Sequence, residues 1–345
     1  MTPTKSDIRR ETFGQLRDGR EVQLFTLTNA AGSSLSVTNY GCIITAVRVP
    51  DRQGTLSNVV LGYETMRAYE DDTAVVGAFV GRFANRIAHG RVSIDGAEHQ
   101  LVLNAGGHHL HGGATGFHKQ LWSADACMSP KGPQLFLLRT SPDGEEGYPG
   151  ALATQVVYTL TDDDMVMMDV TARTDRPTLI NVIQHTYFNL TGSRRSVLHH
   201  DLMVNADEVL CVDQDLIPTG DKRNVAGTPF DFRTSRRVGE AIDAPDQQLR
   251  HGQGYDHCFV LNGRDGPAAT LRDAASGREM TVTTDQPGLQ VYSGNWLNGV
   301  HAPRTGLCLE TQHFPDSPHH PSFPSTLLRP GEIFRTQTAF QFTTV

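Results

Sequence analysis

Apolar and polar residues alternate along most of the chain with a period of two, as in "EVQLFTLTN", "TQVVYTLT" and "REMTVTTD". Successive side chains of a strand point to opposite faces, so this alternation predicts half-buried β-strands. Turn signals separate the runs. "DG" divides "RVSI" from "AEHQLVLN", and "DDD" divides "TQVVYTLT" from "MVMMDVTART", the pattern of antiparallel hairpins. Helical spacing is confined to short stretches near Glu64 to Tyr69, Arg82 to Ala88 and Arg237 to Ile242. Each is too short for a crossover helix, which disfavours parallel βαβ architecture.

The chain has no internal repeat of fixed length and no Pro/Gly/Ser linker. The expectation is therefore one all-β domain over residues 1–345, a large antiparallel β-sandwich with a few short helices. Composition agrees: 38% of residues are apolar and 20% charged, with 33 Gly and 18 Pro dispersed through the chain. A net charge of −8 without basic clusters argues against nucleic acid as a partner. The five cysteines are widely spaced with no C-x-x-C pair, so reduced thiols in a cytoplasmic protein are expected. "MTPTKSDIRRETFGQLRDGR" has no apolar run, and no stretch approaches the ~20 apolar residues of a membrane helix.

Candidate chemistry sits in a handful of strands and loops. In "NVIQHTYFNL" (181–190) alternation puts Asn181, Ile183, His185, Tyr187 and Asn189 on one face, with Val182, Gln184, Thr186 and Phe188 on the other. His185 is either a hydrogen-bonded structural histidine or a general acid/base. "LETQHFPDSP" (309–318) holds Glu310 on a strand stopped by Phe314 and two prolines, on the face of Cys308 and Gln312. It is an acid tool or an edge residue. "NAGGHHLHGG" (104–113) offers His108, His109 and His111 among glycines. It lacks the spacing of a metal site or a phosphate loop, which leaves a ligand-binding loop or a solvated turn. "GRFANRIAHG" (81–90) places Asn85 and Arg86 among apolar residues, and a buried arginine needs a ligand or a carboxylate as partner. Asp256 in "YDHCFVL" reads as a ligand-binding or a turn aspartate, and Gln290 with Tyr292 in "QPGLQVYSGN" as a site face or exposed polarity.

Taken together and in order, "GRFANRIAHG", "HLHGG", "LW", "SPDGEEGYPG", "HTYFNL", "YDHCF", "QPGLQVYSGN", "LETQHFPDSP" and "LLRPGE" resemble the aldose 1-epimerases, the galactose mutarotase family. The resemblance runs from about residue 40 to 331. It implies a mutarotase-type supersandwich, a cleft for a free aldose and catalysis without metal or cofactor. It places the proton donor on His185 and the acceptor on Glu310, with Asn85, Arg86, His111, Asp256 and Gln290 binding sugar and Tyr187 lining the site. Family members of this kind imply a small-molecule partner only, in a monomer or homodimer. Glu at ~4.3 and His at ~6.5 would then suit proton exchange at neutral pH without large shifts. The extra histidines His108 and His109 depart from the pattern and bear on substrate preference. A hexose-6-phosphate epimerase, a non-catalytic sugar-binding protein and a two-carboxylate glycosidase are the competing functions.

Overall fold

In a computed structural model, residues 6–263 and 265–345 are described; residues 1–5, the start of the N-terminal stretch read above, and Arg264 lie outside them. The alternating runs become strands, and every paired strand among the described residues is antiparallel. "EVQLFTLT" forms Glu21–Thr28, "TQVVYTL" lies in Leu152–Leu160 and "MVMMDVTART" forms Met165–Thr174. The "DG" signal makes a tight hairpin between Arg91–Ile94 and Ala97–Gln100. Asp95 and Gly96 take φ of 52° and 82°, the left-handed pair that matches strand twist.

Three larger sheets share one apolar cluster. Five strands between Asp7 and Asn58 form the first, and nine form the second, with Leu152–Leu160, Met165–Thr174, Phe334–Thr344 and Arg278–Thr284 adjacent at its centre. The third has six strands in spatial order Tyr187–Phe188, Leu307–Gln312, Gly288–Tyr292, Asp256–Leu261, Ala206–Val212 and Pro218–Asn224. Phe25 and Leu35 of the first, Val156 and Phe340 of the second, and Leu289 and Leu309 of the third all join the common core. The fold is the expected large antiparallel sandwich.

Two of the three helical expectations hold in part. Met66–Asp71 is helical behind a Thr65 cap whose hydroxyl accepts from Ala68 N–H, and Val238–Glu240 is a single 3₁₀ turn. Arg82 to Ala88 is not a helix. Asn85 adopts φ 62°, which no helix tolerates, and Arg86–Ile87 instead pairs as a short strand with His109–Leu110. A helix at Gln247–Gly252 was not anticipated; Asp246 caps it by accepting from Gln248 N–H.

The six-stranded sheet sets the register of the site. Leu289, Val291, Leu307, Leu309 and Phe259 point into the core, each contributing about 1.5–3 kcal/mol on burial. Alternation then forces Gln290, Tyr292, Cys308, Glu310 and Asp256 onto the opposite face. Gln290 faces Glu310 across one rung, and Tyr292 faces both Cys308 and Asp256 across the next. A slip of one residue would bury the carboxylates in the core and expose the leucines.

Candidate active site

The polar face of that sheet floors a cavity of about 310 Å³. The eight residues to which the resemblance gives a site role all line it: Asn85, Arg86, His111, His185, Tyr187, Asp256, Gln290 and Glu310. They come from separate stretches of chain, brought together by the strand pairing. Glu310, Gln290, Asp256 and Tyr187 stand on four neighbouring strands of the sheet. His185 ends a short strand, Ile183–His185, that pairs with Ala78–Val80.

The segment 181–190 is thus two strands rather than one. Ile183–His185 and Tyr187–Phe188 pair with different partners on either side of Thr186. The face assignment survives the break. His185 and Tyr187 line the cavity, whereas Gln184 on the other face donates to the Gly77 carbonyl and accepts from the Tyr158 hydroxyl.

His185 and Glu310 meet at the floor, with Nε2 3.5 Å from Oε1 and both side chains almost wholly buried. Nδ1 of His185 lies 3.6 Å from the Cys308 sulfur. The ring also packs against His111 and Tyr187, with centroids 5.2 and 5.0 Å away. Oε2 of Glu310 is buried with no hydrogen-bond partner in the protein, the condition of an atom kept for a ligand.

Burial overturns the expectation of ordinary pKa values. Desolvation, then the neighbouring Asp256 carboxylate, push Glu310 well above the usual carboxylate range, with Arg86 opposing. Desolvation pulls His185 down to about 4. Both shifts favour the uncharged pair, GluH with neutral imidazole. Asp256 is also raised by burial, while Arg86 and a 2.7 Å hydrogen bond from Gln290 Nε2 to its Oδ1 hold it down.

The loop residues are held as firmly as those on strands. Asn85 and His111 both have left-handed backbones and clasp each other. His111 N–H donates to the Asn85 carbonyl at 3.0 Å, and Asn85 N–H donates to His111 Nδ1 at 3.2 Å. Since Nδ1 accepts, the neutral ring of His111 carries its proton on Nε2. Burial and the adjacent His185 depress its pKa well below 6.5. Gly112 follows because a Cβ there would stand 1.8 Å from the Gly81 carbonyl oxygen. The "HGG" spacing therefore packs one loop directly on "GRFAN".

His108 and His109 play no part in the lining. His109 bridges the Tyr148 hydroxyl (2.6 Å) and the Val102 carbonyl (2.7 Å), and His108 Nδ1 accepts from His89 N–H. Both are structural.

A family profile described as "Aldose 1-epimerase" matches residues 23–341. The chain belongs to the aldose 1-epimerase family. It is 42% identical to a galactose mutarotase of Mus musculus, over 97% of this chain and 98% of that protein. It is 38% identical to an aldose 1-epimerase of Escherichia coli K12, over 96% and 98%. The crystal structure of a galactose 1-epimerase from Lactobacillus acidophilus superposes with a TM-score of 0.89 at 30% identity, covering 99% of each chain.

The cavity of this aldose 1-epimerase family member has further walls that the motifs did not mark. Trp296 stacks on Tyr292 with rings 5.7 Å apart and stays 38% exposed, and Asn298 and Thr73 also line the cavity. Trp296 stands one residue beyond the end of "QPGLQVYSGN". An exposed tryptophan next to polar strand-end residues was the available signal.

Proposed function

We propose that this protein interconverts the α- and β-anomers of free aldohexoses such as galactose and glucose, with Glu310 and His185 as the proton-exchanging pair. The supporting observation is the buried 3.5 Å meeting of His185 Nε2 and Glu310 Oε1 at the floor of a sugar-sized polar cavity.

The proton balance explains why burial suits the reaction. With sugar bound, Glu310 as carboxylate takes the C1 hydroxyl proton while His185 as imidazolium gives a proton to the ring oxygen. The bond from C1 to the ring oxygen breaks, and C1 becomes the aldehyde carbonyl. Glu310 is then protonated and His185 neutral, the forms that the desolvated floor favours. Rotation about C1–C2 exposes the other carbonyl face. Closure runs the same transfers backwards and gives the other anomer. Asp256, Gln290, Asn85, Arg86 and the Nε2–H of His111 anchor the hydroxyls that do not react, and Tyr187 closes the wall beside His185.

Arg86 is the single Lys or Arg among the described lining residues. A sugar phosphate calls for more cationic groups than this, so free aldoses are favoured over hexose 6-phosphates. The same reading treats residues 1–345 as one catalytic unit in the cytoplasm, monomeric or dimeric. The family match across 23–341 supports the single catalytic unit, and the free thiols of all five cysteines support a reducing compartment.

Polarimetry on freshly dissolved α-galactose tests the function. Catalytic decay of rotation to the equilibrium value is expected; decay at the buffer rate would defeat it. The pH dependence tests the pair. Activity needs one proton shared between Glu310 and His185, and two protons are bound only near pH 4, where the buried imidazole titrates. The profile of kcat/KM should fall on the acid side near 4 and also fall on the alkaline side, where Glu310, its pKa raised by burial, gives up the shared proton. An acid limb centred at ~6.5, that of an ordinary histidine, would contradict the assignment.

A further inference from the structure

The floor of the cavity carries a donor set that proton exchange does not use in full. Cys308 lies under the reactive pair, on the same strand face as Glu310 and two residues before it. One ring nitrogen of His185, the Cys308 sulfur and one Glu310 oxygen all lie within 4.8 Å of one another. The imidazole stands between the other two donors, with Nδ1 3.6 Å from the sulfur and Nε2 3.5 Å from Oε1. A tetrahedral zinc ion, with bonds of about 2.0–2.3 Å, holds neighbouring donors roughly 3.5 Å apart. A metal held through one ring nitrogen therefore requires the Cys308 or Glu310 side chain to turn toward that nitrogen, closing a set now bounded at 4.8 Å. The free buried Oε2 of Glu310 is an independent sign that a ligand belongs there.

We propose that the cavity floor is an inhibitory site for a borderline-soft dication such as Zn²⁺, held by His185, Cys308 and Glu310, and that metal and aldose exclude each other. This rests on the cavity being the aldose site. The mixed N, S and O donors select zinc-like ions over magnesium or calcium. A thiolate and a carboxylate balance the dication, so the buried site gains no net charge. Binding displaces two protons to solvent, one from the Cys308 thiol and one from the Glu310 carboxyl that burial keeps protonated. His185 and Glu310 line the cavity and Cys308 sits beneath them, so the fourth coordination position opens toward the space a sugar would fill. Nearby Arg86 opposes the ion and Asp256 favours it.

Cadmium, which gives a thiolate-to-metal absorption band in the near ultraviolet, reads binding without reference to activity. Cys127 is exposed and Cys211 half-exposed, so the titration uses a Cys127→Ser/Cys211→Ser background. One equivalent of Cd²⁺ should produce the band, and galactose should abolish it. Adding Cys308→Ser should remove the band and weaken Zn²⁺ inhibition, measured against that variant's own metal-free rate, by at least about 10-fold. A band that survives Cys308→Ser, no band at all, or a band indifferent to galactose would each overturn the proposal. If galactose is not turned over but the Cd²⁺ band appears and galactose removes it, the metal site stands and the proposed reaction fails.

Discussion

Glu310→Gln is expected to slow anomer exchange of galactose by about 10²–10⁴-fold, the usual contribution of a positioned base, while leaving the fold at least as stable as the parent. Glutamine keeps the shape and one carbonyl oxygen but cannot take the C1 hydroxyl proton. Stability should not suffer, because the native carboxylate is itself unfavourable where it stands. It is 2% exposed, one oxygen lacks a partner, the adjacent imidazole is kept neutral by burial, and the Arg86 charge only partly offsets desolvation and the Asp256 carboxylate. The sign follows from linkage. A carboxyl whose pKa is raised by folding contributes stability below its unfolded value, ~4.3, and loses it as pH rises through the folded value. Glutamine does not titrate, so the advantage of the variant in thermal or denaturant unfolding should grow from pH 4 upward. A variant that turns over galactose at the parent rate would remove Glu310 from the chemistry, and one that unfolds more easily at pH 7 than at pH 4 relative to the parent would contradict the burial argument.

Arg82→Ala should have the largest effect on stability, about 3–5 kcal/mol, because several carbonyls and a hydroxyl lose their donors together. Arg82 is almost wholly buried, and burial draws its pKa down to about 10. Its guanidinium donates to the carbonyls of Ser141 (2.9 Å), Pro142 (2.7 Å), Pro149 (3.1 Å) and Gly150 (2.8 Å), and to the Ser141 hydroxyl (2.7 Å). It therefore ties "SPDGEEGYPG" to the loop that carries Asn85 and Arg86. Alanine would leave those carbonyls without donors in a dry interior. Arg82→Lys keeps the charge but not the planar fork and should fall between the two in denaturant unfolding. Unfolding midpoints unchanged in both variants would refute this role.

The two arginines of "GRFANRIAHG" show where sequence reading stops. Arg86 was the arginine expected to need a partner, yet it is only half-buried and faces the cavity; Arg82, four residues earlier, is the buried one. Local apolar context is similar around both, and what separates them is a turn of chain some sixty residues away. Where alternation alone decides, reading succeeds. Glu310 and Gln290 fall on one face because core leucines fill the other, and His185 and Tyr187 keep a common face although the strand between them breaks. The helix expected over Arg82 to Ala88 fails because Asn85 turns left-handed to reach His111, a tertiary demand that local spacing does not record. Gln247–Gly252 was missed because one buried leucine, Leu249, makes no period, although Asp246 was a readable cap. The pKa values were illegible for the same reason. Nothing local to "LETQ" or "HTYF" discloses how completely the cavity floor is closed to water.

The pairing of His185 with Glu310 is tested most directly by a double-variant cycle in polarimetry. If the two act as one proton-exchanging unit, His185→Asn, Glu310→Gln and the double variant should lose about the same activity, because removing either partner already disables the exchange. Losses that multiply in the double variant, or a single variant with parent-like turnover, would mean that the imidazole and the carboxylate do not work together.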